Sequence, residues 1–311
     1  MLLIDLDPIM RDLIMRFYLR CAMTRSCLLG IAMLATLLFQ LATSSLGIGA
    51  EEPVSKLTIV VMDPLAAPLS CPCVEGYAQR KYEVLAEYLE EKLPCATNLI
   101  FAESLADALK KSAGKADLII GKHSVVKADA KSAKVPVTEM ARLTDKFGTT
   151  TQTGLIVVAA NDAAQQVADL GGYRVIFGPE ECDEKHRAAL DLLSSAGVAI
   201  PEQKEMDEAC SDGACKVLEL SGKEKMAAVI SSYAAPLLEG CGTIKKGDLR
   251  VVGETKPVPF VAVFVRDTLA KEQRDALQKT LLSLHERPDV CESLESLIGF
   301  VPPANELAKK K

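Results

Sequence analysis

Four short apolar runs, KLTIVVMD (56–63), ADLIIG (116–121), GLIVVAA (154–160) and YRVIFG (173–178), recur along this chain with segments of helical periodicity between them. An unbroken β-branched run lacks the in-out alternation of a half-exposed strand, so each reads as a strand buried on both faces. The spacing predicts a helix from Val74 to Leu93, with Val74, Tyr77, Leu85, Tyr88, Leu89 and Leu93 in register and Pro94 as its stop. ATNLIFAE then reads as a strand, and SLADALKKSAG as a helix capped by Ser104 and closed by Gly114. A helix is expected from Asn161 or Asp162, and another over 183–196, ended by Gly197. MAAVISSY supplies a further strand, and DLRVVGETKPVPFVAVFV supplies two apolar runs parted by Pro257 and Pro259. An amphipathic helix follows at 268–285 with Leu269, Leu277, Leu281 and Leu284 in its stripe. The acidic stretch 198–225, punctuated by CSDGAC, reads as a surface excursion. Strands alternating with helices of this length imply an α/β protein with mainly parallel sheets flanked by helices. At 311 residues the chain is long enough for one large or two medium domains.

The first fifty residues read as an address. Arg16, Arg20 and Arg25 precede the uncharged run CLLGIAMLATLLFQLA, and small residues close the segment at SSLGIGA before Glu51 and Glu52. That order of basic, apolar and small is a secretory signal, with cleavage expected after Ala50 and a retained N-terminal membrane anchor as the alternative. Met15 or Met23 is an alternative start. An extracytoplasmic, periplasmic location is the expectation.

Export bears on the cysteines. Of ten, eight follow the signal: Cys71, Cys73, Cys95, Cys182, Cys210, Cys215, Cys241 and Cys291. An even number in an exported chain favours disulfides, and Cys210 and Cys215, flanking the turn-forming SDGA, are expected to close a local hairpin. The formal charge is −6, and removing 1–50 makes the remainder more acidic still. With no basic stripe and no Trp, the chain offers neither the charge nor the stacking platform a nucleic-acid partner needs. The G-x-S-x-G, H-E-x-x-H, C-x-x-C-H and G-x-G-x-x-G patterns are all missing. No cofactor is therefore expected.

Several segments in order, YEVLAEYLEEKL, ADLIIG, TQTGLIVVAANDAAQQVADLGGYRVIFGP, GDLRVVGETKPVPFVAVFV, the helix at 268–285 and LIGFVPP, resemble the substrate-binding proteins of phosphate, phosphite and phosphonate ABC transporters. The resemblance covers about residues 57–302. It implies a type II periplasmic binding fold, with lobe one at 51–153 plus 261–311 and lobe two at 154–260, closing on a solute held between them. It further implies a monomer that is not an enzyme and that passes a small oxyanion to an ABC permease or a membrane sensor. Ligand contacts are expected on loops after strands, and the resemblance places Lys122, His123, Ser124, Thr151, Thr153, Ser231 and Tyr233 there. One departure matters: the loop after YRVIFG reads PEECDEKH, and Glu180, Glu181, Asp183 and Glu184 would repel a dianion unless they point outwards.

Cys71-Pro72-Cys73 falls on the first of these loops, beside the expected cleft. Two readings stay open for it. The pair can staple the loop through structural disulfides, or, with Cys182, His186 or His123, it can serve a soft metal or thiol exchange. On the same footing, His186 reads as a solvated helix-face residue, and His285 as the complement of a helix C-terminus.

Overall fold

The computed structural model describes residues 55–70 and 78–303. The signal segment, its cleavage after Ala50, Cys71-Pro72-Cys73 and the start of the helix expected at Val74 lie outside the described residues. Among the described residues no helix is long and apolar enough to cross a membrane.

Two sheets organise the chain. The first has the strand order β13-β4-β12-β3-β1-β2, built from β1 (Ser55–Met62), β2 (Cys95–Phe101), β3 (Leu118–Lys122), β4 (Val137–Leu143), β12 (Val261–Arg266) and β13 (Phe300–Val301). The second has the order β10-β6-β9-β7-β8, from β6 (Gly154–Ala159), β7 (Arg174–Phe177), β8 (Glu205–Met206), β9 (Met226–Ser231) and β10 (Leu249–Glu254). A short antiparallel pair, β5 (Thr151–Gln152) with β11 (Val258–Pro259), carries the chain from one sheet to the other and back. The expected parallel pairing holds for β1 with β2 and β3, and for β7 with β8 and β9. The remaining pairs in both sheets are antiparallel, because the chain enters and leaves the second sheet through the crossing pair. Both sheets are thus mixed.

The unbroken apolar runs are explained by cover on both faces. On β1, Ile59 and Val61 join one core while Val60 and Met62 join the other. Helices Tyr82–Lys92 and Lys271–Leu282 cover the first face with Leu85, Leu89, Leu277 and Leu281, and helices Leu105–Lys111 and His123–Ser132 cover the second. In the second sheet Ile156 and Val158 face helix Arg187–Ser195, while Val157 and Ala159 face helix Cys210–Glu219. Each such Val, Leu, Ile or Met side chain, fully buried, contributes about 1.5–3 kcal/mol.

Three local expectations are corrected. The helix expected at Asn161 or Asp162 is a turn followed by a short 3-10 helix, Val167–Leu170. Asp162 accepts from the Ala164 amide and Asp169 from those of Gln165 and Gln166, so these side chains bind the backbone groups that a longer helix would use. The 198–225 excursion contains helix Cys210–Glu219, so Cys210 and Cys215 cannot close a hairpin. Five residues apart on a helix, their Cα atoms are separated by about 7.5 Å of axial rise, beyond disulfide reach. Cys95, Cys182, Cys210, Cys215 and Cys291 are free thiols, and no two described residues form a disulfide. Finally, helix Tyr82–Lys92 starts later than its spacing predicts, because Arg80 bridges Ala66 in extended form and only Tyr82 enters the helix.

Arg80 belongs to a buried cluster in the loop after β1. Asp63, fully buried, accepts from Arg80 Nη1 at 2.8 Å, from the Tyr82 hydroxyl at 2.6 Å and from the Leu65 amide at 3.0 Å. Arg80 Nε donates to the Leu294 carbonyl. Burial works against the Arg80 charge, but Asp63 more than offsets it and holds the guanidinium above its ordinary range.

Candidate functional site

In the parallel halves of both sheets the strands end on the same side, where an open α/β sheet presents its ligand crevice. Lys122 is the last residue of β3 and Met62 the last of β1. The loop 178–186 follows β7, and Ser232 and Tyr233 follow β9. These ends surround a cavity of about 540 Å³, lined by Lys122, Cys182, Lys185, Cys210, Tyr233 and apolar residues including Met62 and Leu65. That volume lies within the usual small-molecule range.

Close packing shapes this corner. A methyl group on Gly121 would lie 2.9 Å from Met62 Cβ, so glycine lets β3 and β1 approach. One on Gly154 would lie 2.1 Å from the Glu184 carbonyl oxygen, and one on Gly178 would lie 2.5 Å from the Lys185 side chain. Gly154 and Gly178 thereby let the acidic loop fold back over the end of the second sheet. The His186 ring, packed on Phe177, meets the Gly178 carbonyl through Nδ1 at 2.9 Å. His186 is therefore buried, contrary to its expected place on a solvated helix face, because the loop turns inward at this point.

The four carboxylates of the loop divide sharply. Glu180 and Glu181 are exposed, and Asp183 pairs with Arg187 at the surface. Glu184 points inward and is fully buried. Its Oε1 accepts from Lys122 Nζ at 2.5 Å and from the Ser231 hydroxyl at 2.5 Å, joining the two sheets. Its Oε2 is buried without a partner. Burial alone would drive the Lys122 proton off, but Glu184 outweighs it and raises the pKa beyond the ordinary lysine range. Lys122 is thus charged and already matched.

Lys185 differs. It is 3% exposed and lines the cavity, yet Nζ donates to a neutral group, the Glu208 carbonyl, at 2.8 Å. Among the described residues no carboxylate lies within ion-pair distance of it. In the sequence a lysine inside EECDEKH looks like one charge on a solvated turn, and it is buried here because the loop folds back on Gly178, whose amide bonds the Lys185 carbonyl.

The other expected residues spread out. Tyr233 lines the cavity, its ring stacked 4.9 Å from that of Phe260, and burial pushes its hydroxyl pKa up. Ser231 lies behind the cavity on Glu184. Ser124 accepts from the Asp183 amide at 3.3 Å, across the sheets. His123 begins a helix directly after Lys122, its Nε2 3.5 Å from Glu139 and its ring against Phe264. Thr151 is exposed on the crossing pair, and Thr153 donates to Glu254. Next to them Gln152 is buried with neither amide atom partnered. His285 is exposed, with Nδ1 3.0 Å from the carbonyl of Leu282, the last residue of its helix.

As for metal or thiol chemistry, no group of three or more His, Cys, Asp or Glu among the described residues is arranged to hold an ion. Burial raises the Cys182 pKa, which favours the thiol over the thiolate that ligation or exchange requires.

A family model described as the periplasmic substrate-binding protein of phosphonate ABC transporters matches residues 76–307. A search of the curated proteins found no match. Among solved structures, XAC2383 from Xanthomonas citri bound to ATP is similar at a TM-score of 0.59 and 14% identity, over 82% of this chain and 94% of that one. A binding protein component of an ABC phosphonate transporter from Pseudomonas aeruginosa, PA3383, gives 0.59 at 12% identity, over 82% and 84%. PhnD1 from Prochlorococcus marinus, in complex with methylphosphonate, gives 0.58 at 14% identity, over 82% and 95%. At these identities the structures speak for the fold, and the family match, which spans most of the chain, speaks for kinship. The chain belongs to the family of periplasmic substrate-binding proteins of phosphonate ABC transporters.

Proposed function

We propose that this protein captures a small organic oxyanion bearing an apolar group, by closure of two lobes, and hands it to an ABC permease or a membrane sensor outside the cytoplasm. The lobes are 51–153 plus 261–311 and 154–260, each centred on one sheet, with the β5–β11 crossing as the hinge. The observation that carries this reading is a mostly apolar cavity of about 540 Å³ with two buried lysines, Lys122 and Lys185, on its wall. Buried cations in an apolar surround are costly unless a counter-charge arrives, and Lys185 has none of its own. Tyr233 supports the apolar part of the solute. Ser231 and Ser124 act from behind the wall, one holding Glu184 and the other tying the acidic loop to the opposite sheet. Glu103 and Glu208, exposed on the lining, discourage anions that lack an apolar group to offset their repulsion.

Calorimetry with alkylphosphonates and alkylsulfonates of increasing chain length tests the reading. Affinity should rise with chain length, by about 0.8 kcal/mol for each buried methylene. Lys185→Met should weaken binding by about 10- to 100-fold while leaving the fold intact. Absence of binding across the whole series would remove the assignment, as would inorganic phosphate binding as tightly as the longest member.

A further inference from the structure

The four carboxylates of the acidic loop would repel a dianion unless they point outwards, and all but Glu184 do. This carboxylate stands where polar groups of the two sheets converge: Lys122 from the end of β3 and Ser231 from the end of β9 both donate to its Oε1 at 2.5 Å. A bound oxyanion bridging the sheets would need those same donors. Glu184 reaches them only because Gly154 lacks a side chain, since a methyl group there would strike the Glu184 carbonyl.

We propose that Glu184 is a specificity-determining residue, a built-in anion that occupies the Lys122–Ser231 cradle and so limits the solute to a single negative charge at Lys185. The inference rests on the cavity being the solute site. Its logic is charge balance. Of the two lysines on the wall, Lys122 is neutralised from within, which leaves one unmatched cation for the solute. A sulfonate, or a phosphonate carrying one proton, is matched by Lys185. The second charge of a phosphonate dianion meets no cation and faces the buried Glu184 carboxylate, whose Oε2 has no donor to screen it.

The test compares an alkylsulfonate with the alkylphosphonate of the same length, above the second ionisation of the phosphonate, by calorimetry. The wild-type protein should prefer the sulfonate. In Glu184→Ala the cradle is vacated, phosphonate dianion and inorganic phosphate should each gain about 10- to 100-fold in affinity, and the order should reverse. Adding Lys122→Met should abolish that gain. Wild-type preference for the dianion overturns the proposal, and so does a folded Glu184→Ala protein with unchanged order. Should the alanine variant fail to fold, Glu184→Gln keeps an oxygen for Lys122 and Ser231 and removes only the charge, and it must shift the order in the same direction. Failure of the cavity assignment looks different: no member of either series binds the wild-type protein, whatever stands at position 184.

Discussion

Two buried ion pairs lie at the cleft end of this molecule, Asp63 with Arg80 and Glu184 with Lys122, and they are built on opposite plans. Asp63 uses both oxygens, taking Arg80, Tyr82 and the Leu65 amide, and all its partners lie between Leu65 and Tyr82, the first residue of the following helix. Glu184 uses one oxygen for two partners on different sheets and leaves the other bare. A carboxylate whose two oxygens are both satisfied by residues close in sequence fixes a loop. A half-satisfied one spanning two regions costs stability and is informative about function. The contrast separates a charge that holds the fold from a charge that sets what the fold accepts.

Truncating each acid tests the two plans against each other. Asp63→Ala strands Arg80 and the Tyr82 hydroxyl in the core and should cost about 3–5 kcal/mol in urea unfolding. Glu184→Ala should cost less, about 1–3 kcal/mol, because Lys122 borders a cavity that water or an anion can enter. Added phosphate should restore the second variant and leave the first unchanged; equal losses with no restoration would erase the distinction. Gly154→Ala sharpens the same point from the backbone side. Its methyl group meets a carbonyl and not a flexible side chain, so the acidic loop must shift, at about 1–3 kcal/mol, and the sulfonate-to-phosphonate order should move with it.

The smallest effect concerns a third pair outside the cavity. Burial tends to raise the Glu139 pKa, but hydrogen bonds from His123 and Arg142 overcome it and bring the value from 4.5 down to about 2. A carboxyl depressed by folding stabilises above its unfolded pKa and loses that contribution as pH falls through the folded one. The stabilisation should therefore be complete above about pH 4.5 and fade towards pH 2. Unfolding midpoints of wild-type protein and Glu139→Gln should converge over that interval, and parallel curves would show that Glu139 is not the group responsible.

The α/β alternation was legible because a run such as Ile59–Met62 or Leu118–Ile120 has no polar residue to spare for solvent, so cover on both faces was already implied. The family resemblance was legible for the same reason: order and spacing of elements survive where individual residues do not. Helix Cys210–Glu219 was not legible, since Ser211, Asp212 and Gly213 are turn-formers by local preference. Gly213 is placed there by packing, with a methyl group at its position lying 3.2 Å from Ala228 Cβ. The charges were harder still. Lys122 and Tyr233 were named through the family resemblance, on loops after strands, but Glu184 and Lys185 are adjacent charged residues, a pattern that ordinarily means solvent. Their burial follows from tertiary contacts at Gly154 and Gly178 that no local pattern records.

The strand order also dictates when the protein can exist at all. β12 lies between β3 and β4 and bonds them both, yet among the described strands it is made after all of the second sheet. A chain that has emerged only as far as Glu254 holds every strand of the second sheet but leaves the edges of β3 and β4 without their shared neighbour. Open apolar edges of this kind invite pairing with other chains. A nascent or truncated chain ending before Val261 is therefore a natural client for chaperones and proteases, and the last sixth of the sequence completes the first sheet.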